Sequence, residues 1–412
     1  MEEYTVATVQ QLTQTILHSS LEELLRAGAR KMLKVALDCE VEQYIERSRG
    51  PSEAPGRQAV VRNGSHPERE LVTGIGKLSV RQPRVHDRRE GHHFTSAILP
   101  PYLRRTPSIE ALIPALYLKG LSTSCFPEAL QAILGADAGG LSSANVVRLK
   151  KVWEGEFAAW QKRDLSGKRY VYIWADGIYF NVRLEPERPC LLVLIGATAE
   201  GNKELIAIHD GQRESKLSWQ VVLQDLKARG LTVDPVLAIG DGNLGFWAAL
   251  REECPSTLEQ RCWVHKTANI LDKLPKTLQS DAKSLLHQLY LSATKNAALK
   301  VYDQFIRRYE AKYPAACECL AKDQEVLFTF YDFPAEHWRH IRTTNPIEST
   351  FSTVRHRTRQ TKGCGSRIAT LTMAFKLTRE AEKRWQRLHG YRLLNQIIAG
   401  VVFVDGELKN AA

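Results

Sequence analysis

The sequence lacks any run of 18 or more apolar residues, the minimum length expected of a membrane-spanning helix. Its eight cysteines include no C-x-x-C pair, which predicts reduced thiols rather than a disulfide framework. The first residues, MEEYTVATVQ, are acidic and polar, unlike a signal peptide. Together these absences predict a cytoplasmic protein without membrane segments.

The charge is unevenly distributed along the chain. The 412 residues contain 57 Lys and Arg against 46 Asp and Glu, and the length suits two or three domains. Between Arg355 and Arg387 there are ten basic residues but only two acids, Glu380 and Glu382. A basic excess in one segment favours a polyanionic partner, most simply nucleic acid. The alternative is a solvated helix face, which usually mixes both signs.

The first third of the chain predicts a helix, a linker and a β or irregular stretch. Residues 21–47 have helical spacing, and the linker RGPSEAPGR (49–57) closes an N-terminal segment, 1–57. Residues 59–99 carry short alternation in GKLSVRQPRV. We expect residues 58–157 to form the next segment of the chain.

The second half of that region, residues 108–157, predicts short helices around the turn GADAGG. This pattern is typical of a helix-turn-helix DNA reader. The last helix, capped by Ser143, is predicted to expose Asn145, Arg148, Lys150 and Lys151. A small helical bundle that only packs is the alternative.

From Arg169 the pattern changes to β-β-β-α-β-α-β, the element order of ribonuclease-H-like nucleotidyltransferases. The first strand is in RYVYIWADGIYFNVRL, and TLEQRCWVH is the fifth. In the helix KLSWQVVLQDLKARG, Leu217, Val221 and Leu226 are predicted to face inward. The predicted fold class is an α/β catalytic core, a ribonuclease-H-like mixed sheet with flanking helices, interrupted by an all-α insertion and preceded by a mainly helical DNA-binding region. Its parts are core residues 165–265, insertion 266–340, and a closing helix with basic C-terminal helices, 341–400.

Three acids in this frame are candidate metal ligands. Asp176 lies inside the first strand, Asp241 just after the fourth, and Glu348 in the late helix. Neighbouring strands and a helix against them bring such residues to one end of a sheet. Three carboxylates there suit two hard cations, Mg²⁺ or Mn²⁺, which activate an attacking water or hydroxyl and stabilise the leaving oxygen.

Each acid also has a purely structural interpretation. Asp176-Gly177 is a common hairpin turn, although strong β residues flank it on both sides. Asp241 could be an N-cap, and in TTNPIESTF Glu348 could be the acid of a capping box that starts at Asn345. The correct order of all three in one frame favours the metal site.

The helix that carries Glu348 is predicted to have a polar face and an apolar face. The polar face contains Glu348, Ser352, Arg355 and Arg359, and the apolar face contains Ile347, Phe351 and Val354. An acid followed by arginines suits a phosphodiester strand beside a metal. The candidate phosphate contacts of this part of the chain are Arg355, Arg357, Arg359, Lys362 and Arg367.

The segment QRCWVH contains a Cys262-x-x-His265 pair. Two ligands are too few for structural zinc, so we expect the pair to pack and hydrogen-bond near the site. Trp263 and Trp338 are candidates for stacking on flipped bases, with buried core tryptophans as the alternative.

These residues resemble the insertion-sequence transposases of the Mutator-like superfamily. The matching pieces are WADGIYF, GDGNLGFWAAL, QRCWVHKTANI and TTNPIESTFSTVRHRTRQTKG. The resemblance covers about residues 20–390. It implies a DDE transposase in which Asp176, Asp241 and Glu348 form the catalytic triad, with Mg²⁺ or Mn²⁺ as cofactor. Cys262 and His265 match a signature whose role stays open.

The resemblance also implies partners and a location. The partners are double-stranded DNA, both as terminal inverted repeats and as target, bound by a homodimer or larger assembly. The resemblance makes residues 58–157 the DNA-end-binding region. The location is the bacterial cytoplasm, in association with the nucleoid. Two other functions remain open: a non-catalytic DNA-binding protein, and a structure-selective nuclease on the same fold.

Overall fold

The computed structural model describes residues 20–49, 58–118, 128–129, 131–132, 143–180, 188–211, 213–242, 244–360 and 366–409. The chain divides into two compact units, Met1–Val147 and Arg148–Ala412, and each is described by itself. Most of the predicted linker and the middle of the predicted helix-turn-helix, including GADAGG, lie outside the described residues.

The first unit combines helices with short antiparallel strands. Helix α1 (Leu21–Arg47) begins at Ser20, whose side chain forms a capping box with Glu23. The strands that follow are β1 (Val60–Ser65), β2 (Arg69–Thr73), β3 (Gly76–Val80) and β4 (Pro83–Asp87), and then comes α2 (Pro107–Leu118). β1 pairs with β4, and β2 pairs with β3.

The core of the first unit lies between α1 and these strands. Leu37 of α1 is buried in a cluster with Leu71, Leu78, Val80 and Leu99. Glu40 of α1 accepts hydrogen bonds from the backbone of Ala97 and Ile98 and from Ser96. The β prediction for residues 59–99 is therefore confirmed for the four strands.

The second unit is built on one five-stranded sheet. Its strands are β5 (Tyr170–Tyr179), β6 (Cys190–Thr198), β7 (Lys203–Gly211), β8 (Leu237–Gly240) and β9 (Leu258–Arg261), in the order β7-β6-β5-β8-β9. β5, β6 and β7 are antiparallel, whereas β5, β8 and β9 run parallel. Hairpins suffice for the antiparallel half, while each parallel pair needs a crossover helix. The fold is thus a mixed α/β architecture.

Helices precede, connect and follow the strands of this sheet along the chain. They are α3 (Ser143–Gln161), α4 (Lys216–Ala228), α5 (Leu244–Glu253), α6 (Trp263–Leu271), α7 (Lys276–Leu291), α8 (Lys295–Tyr309), α9 (Pro314–Ala321), α10 (Gln324–Leu327), α11 (Trp338–Ile341), α12 (Asn345–Gln360), α13 (Arg367–Glu382) and α14 (Leu394–Ile398). Short 3₁₀ turns are at Thr329–Asp332, Ala335–His337 and Tyr391–Leu393. No helix among the described residues is long and apolar enough to cross a membrane.

The inward face of α4 differs from the sequence prediction. Leu217 is 71% exposed and Val221 46% exposed, so only Leu226 of the predicted set is buried. The prediction was wrong because Trp219, packed edge-on against Phe246 of α5 at 4.9 Å, turns the helix toward α5. The buried residues are Trp219, Val222, Leu223 and Leu226.

The predicted fifth strand is shorter than its sequence suggested. β9 ends at Arg261, and Cys262 is the N-cap of α6. The assignment of WVH to the strand was wrong. Its residue types favour a strand, but in the structure they belong to the first turn of α6. On α6 the buried residues are Trp263, Lys266, Thr267 and Ile270, which share one helical face.

Between residues 263 and 360 every assigned element is helical. A partly buried ion pair joins α6 to the helices after it: the Lys266 ammonium lies 2.6 Å from Asp323 and 2.5 Å from the Cys319 carbonyl oxygen. Arg261 approaches the other oxygen of Asp323 at 3.5 Å. A short hairpin of β10 (Phe403–Val404) and β11 (Glu407–Leu408) covers part of this region.

Replacing Lys266 with Met should destabilise the protein by about 1.5–3 kcal/mol, because it removes a charge-assisted hydrogen bond from the half-buried Asp323 carboxylate. The matched control is Arg308→Met, whose ion pair with Asp281 is exposed on both sides and should be worth less than ~1 kcal/mol. Urea unfolding followed by circular dichroism measures both. Equal losses in the two variants would contradict this assignment.

Candidate active site

The parallel pairing of three neighbouring strands stops at one level of the sheet. Gly240 of β8 pairs with Ala175 of β5 on one side and with Arg261 of β9 on the other. The residues one position further along the three strands are Asp176, Asp241 and Cys262. Residues in register on parallel strands point to the same face, so the register sets these three side chains beside one another.

Asp176 is part of a continuous strand rather than a turn. β5 runs through Asp176 and Gly177 to Tyr179 and pairs with β6 over this length. Asp241 leaves β8 directly, and its carbonyl oxygen accepts hydrogen bonds from the Trp247 indole at 2.7 Å and from Arg261 at 3.2 Å. The backbone at both acids is therefore fixed by the sheet and its neighbours.

Glu348 comes from the first turn of α12. Its helix is seated by Ile347, Phe351 and Val354, which are fully buried as the sequence predicted. The Glu348 carboxylate lies 3.2 Å from Nε2 of His265. The helix begins at Asn345, and Thr344 accepts the first backbone hydrogen bonds. The carboxylate is thus turned toward His265.

Cys262 and Thr344 join the end of β9 to the start of α12. The Cys262 sulfur accepts hydrogen bonds from the Thr344 backbone N–H at 3.3 Å and from its hydroxyl at 3.4 Å. The same hydroxyl lies 3.4 Å from Nδ1 of His265. Cys262, His265 and Glu348 each offer an atom that could bind a metal ion, and these three atoms all lie within 4.8 Å of one another. The C-x-x-H pair therefore holds the glutamate helix against the strand ends.

Burial raises the pKa of Asp176 to about 7. The positive charge of His265 opposes this rise, while the negative charges of Glu214, Glu348 and Asp241 add to it. Like charges at short range disfavour ionisation. The carboxylates thus repel one another across a shared space, which is where a cation would be stabilised.

His265 balances these carboxylates. Burial disfavours its charged form, but the hydrogen bond with Cys262 and the charges of Asp241 and Asp176 outweigh burial and raise the pKa of His265 to about 10. The imidazolium beside Glu348 is therefore the main positive charge facing the acids.

Glu214 is a nearby acid that the sequence analysis missed. A Cβ added to Gly177 would lie 1.9 Å from the Glu214 carboxylate oxygen, so this glycine leaves room for the acid next to Asp176. Burial, followed by the charge of Asp241, raises the pKa of Glu214. Its sequence position beside the helix cap Ser215 looked like an ordinary helix start, and no local signal distinguished it.

The candidate DNA contacts are spread over several elements. Arg148, Lys151 and Arg355 are exposed, Lys150 is half-buried, and Arg367 lies 3.7 Å from Asp210. The side chains outside the described residues are those of Asn145, Arg357, Arg359 and Lys362. Their role as phosphate contacts stays a prediction.

The two candidate stacking residues are core residues in this conformation. Trp263 is fully buried and its indole donates to the Leu327 carbonyl oxygen. Trp338 is 8% exposed and donates to the Phe333 carbonyl oxygen. Neither ring presents a free face to a base, which favours the structural alternative.

Comparison with known proteins identifies the family. Residues 1–388 match the family model described as "Transposase, Mutator family". The chain is 54% identical over 286 residues to a transposase for insertion sequence element IST2 of Acidithiobacillus ferrooxidans, an alignment that covers 68% of this chain and 94% of that protein. It is 50% identical over 297 residues to one for IS6120 of Mycolicibacterium smegmatis, covering 72% and 91%. The chain belongs to the Mutator family of transposases.

Similarity to solved structures is weaker. The catalytic core of the HTLV-2 integrase, solved in complex with magnesium, is 19% identical and covers 32% of this chain and 81% of its own, with a TM-score of 0.18. A TM-score this low supports no argument about fold or site.

Asp176→Asn should raise the melting temperature of the metal-free protein, and more so at pH 7.5 than at pH 5. The pKa of Asp176 rises from about 3.9 in the unfolded chain to about 7 in the folded protein. The folded protein therefore loses stability as pH rises from about 4 to 7, because the buried Asp176 carboxyl becomes harder to keep in the fold as ionisation is favoured. Asparagine does not ionise, so the variant avoids this loss.

Each kcal/mol is worth about 2–4 °C for a domain of this size, and differential scanning fluorimetry resolves such shifts. Asp225→Asn, which removes an exposed acid of α4, is the control and should show no comparable pH-dependent gain. A lower melting temperature for Asp176→Asn at pH 7.5 would argue against a crowded acid site.

Proposed function

We propose that this protein is a DDE transposase that cleaves DNA at transposon ends and transfers the freed 3′ end into target DNA. The observation that supports this most strongly is the convergence of Asp176 and Asp241 on adjacent parallel strands, with Glu348 facing them through His265. The sheet order, three antiparallel strands followed by two parallel ones, supports a ribonuclease-H-like core.

The donor set fits hard divalent cations. Asp176, Asp241 and Glu348 offer only oxygen ligands, which Mg²⁺ and Mn²⁺ prefer. Burial raises the pKa of Asp176, and the negative charges of Glu214, Glu348 and Asp241 add to that rise. These three residues would hold two ions. When bound, such ions lower the pKa of the attacking water or hydroxyl and neutralise charge on the leaving oxygen.

Other side chains of the site position Glu348 and balance the charge of the acids. The Cys262–Thr344 hydrogen bonds fix the start of α12, so that Glu348 keeps its distance from the strand ends. His265 donates toward Glu348 and limits repulsion among the acids. Asp176, with its pKa near 7, loses its proton close to neutral pH. No serine or tyrosine nucleophile is needed, because the attacking groups are water and a DNA hydroxyl.

The first unit is proposed to bind the terminal inverted repeats. Its strands surround an open cleft of about 1020 Å³ whose lining includes Arg69, Arg84, Arg104 and Arg105. Two acids in the lining are already paired, Glu70 with Lys77 and Asp87 with Arg89. The remaining positive charge suits a phosphate backbone. Because two ends must be brought together, we expect at least a homodimer on DNA.

A strand-transfer assay with end-containing DNA and Mg²⁺ tests the proposal. Wild-type protein should give joined products. Asp176→Asn should reduce them at least ~10³-fold while end binding survives, because the substitution removes a metal ligand but leaves the phosphate-binding cations intact. Asp225→Asn is the matched control and should retain activity.

The other outcomes identify the competing functions. End binding without cleavage under Mg²⁺ or Mn²⁺ would indicate a DNA-binding regulator. Cleavage without joining would indicate a nuclease. Either result contradicts the transposase proposal, whereas metal-dependent joining that requires all three acids supports it.

A further inference from the structure

A basic cleft opens beside Glu348, and the sequence analysis assigned most of its cations no role. Its volume is about 720 Å³, and its walls come from the start of β7, α11, the first turns of α12 and the segment after α13. Four of its lining residues are cations: Lys203, Arg339, Arg355 and Arg384. Each comes from a different one of these segments, so positive charge surrounds the opening.

Negative charge is scarce in the described lining of the cleft. Glu348 is the one carboxylate among the described residues that line it. Arg339 and Arg384 are exposed. Within the described residues, no carboxylate forms an ion pair with Lys203, Arg339 or Arg384. Nearby, by contrast, Lys383 is paired with Glu380.

The cations also act on one another. Burial, together with the charge of Arg339, lowers the pKa of Lys203. Burial and the charges of Lys203 and Arg339 lower the pKa of His340, another lining residue, to about 3. Uncompensated positive charge costs folding free energy, and an anion in the cleft would relieve it.

The wall that carries these cations is held in place. The Lys203 ammonium donates to the Gln386 carbonyl oxygen at 2.8 Å, which joins β7 to the segment after α13. The Trp385 indole donates to the Thr350 hydroxyl at 3.1 Å, which joins that segment to α12. The cleft is therefore a preorganised surface rather than a gap between mobile chains, and preorganisation lowers the cost of binding.

We propose that this cleft binds the phosphodiester backbone of the DNA strand that is cut, with Lys203, Arg339 and Arg384 contacting phosphates next to the one at Glu348. The inference rests on the proposed function, since it takes Glu348 as a ligand of the catalytic cations. A cleft of this volume with cations on several sides suits successive phosphates better than a single inorganic phosphate.

The test uses the full-length double variant Arg339→Gln/Arg384→Gln. The matched control is Arg307→Gln/Lys312→Gln, which removes two exposed cations of the α8 region outside the cleft. The probe is a fluorescein-labelled duplex without terminal repeats, so that end recognition by the first unit does not dominate. Fluorescence anisotropy at several salt concentrations gives the affinity and its salt dependence.

The cleft variant should bind this DNA about tenfold more weakly or worse, and the slope of log Kd against log salt should fall by about 2, one for each phosphate that the protein no longer neutralises. The control should bind as the wild type does. Unchanged affinity and slope in the cleft variant would overturn the inference. So would full competition by millimolar inorganic phosphate, because that would indicate a pocket for a small anion.

A second measurement separates this inference from the proposed chemistry. Mg²⁺ should raise the melting temperature of the cleft variant as much as that of the wild type, because the carboxylates of the variant are intact. If the variant loses this response, its substitutions disturb the acids. That result would overturn the inference that these cations act only in phosphate binding. If the cleft variant loses DNA binding but the wild type never cleaves, the cleft is a DNA-binding surface and the proposed chemistry fails. If the wild type cleaves and joins DNA while the cleft variant does so equally well, only the cleft assignment fails.

Discussion

The parallel pairing of β5, β8 and β9 is the constraint on which the rest of the second unit depends. Because Ala175, Gly240 and Arg261 lie at one level of the sheet, the residues after them are forced together at one edge. Two of these are acids and the third is the cysteine that starts α6. A one-residue slip in either pairing would turn a side chain to the opposite face, so the hydrogen-bonded register controls the chemistry of the site.

The concentration of acids at this edge has an electrostatic cost that the fold only partly offsets. Burial and the neighbouring carboxylates raise the pKa of Asp176 to about 7, and His265 supplies the nearest compensating charge. A protein optimised for stability alone would replace one of these acids with a neutral side chain. Keeping all of them is typical of sites where stability is exchanged for function.

The Cys262–His265 pair positions the start of α12 relative to β9. Cys262 and Thr344 are 82 residues apart in sequence but joined by two hydrogen bonds. One turn after Cys262, the Lys266–Asp323 ion pair joins α6 to the segment before α10. The intervening helices therefore return the chain to the end of β9, where α12 begins. Glu348 is positioned by the contact of Cys262 with Thr344 and by its own contact with His265.

Local sequence patterns were enough to predict the order of the core elements, the place of Asp176 inside a strand and the buried face of α12, because alternation, helical spacing and β propensity are local properties. The same local rules failed at Trp219, whose packing against α5 turned α4, and at Trp263, where β-prone residues entered a helix. They also missed the hairpin at Asp405-Gly406, whose two positive φ angles suit a tight turn, although Asp176-Gly177 is the same dipeptide within a strand. Three features became visible in the three-dimensional fold alone: Glu214 lies against Gly177, Thr344 is hydrogen-bonded to Cys262, and cations from four segments line one cleft. Those relations depend on register and packing between residues far apart in sequence, and no local pattern carries them.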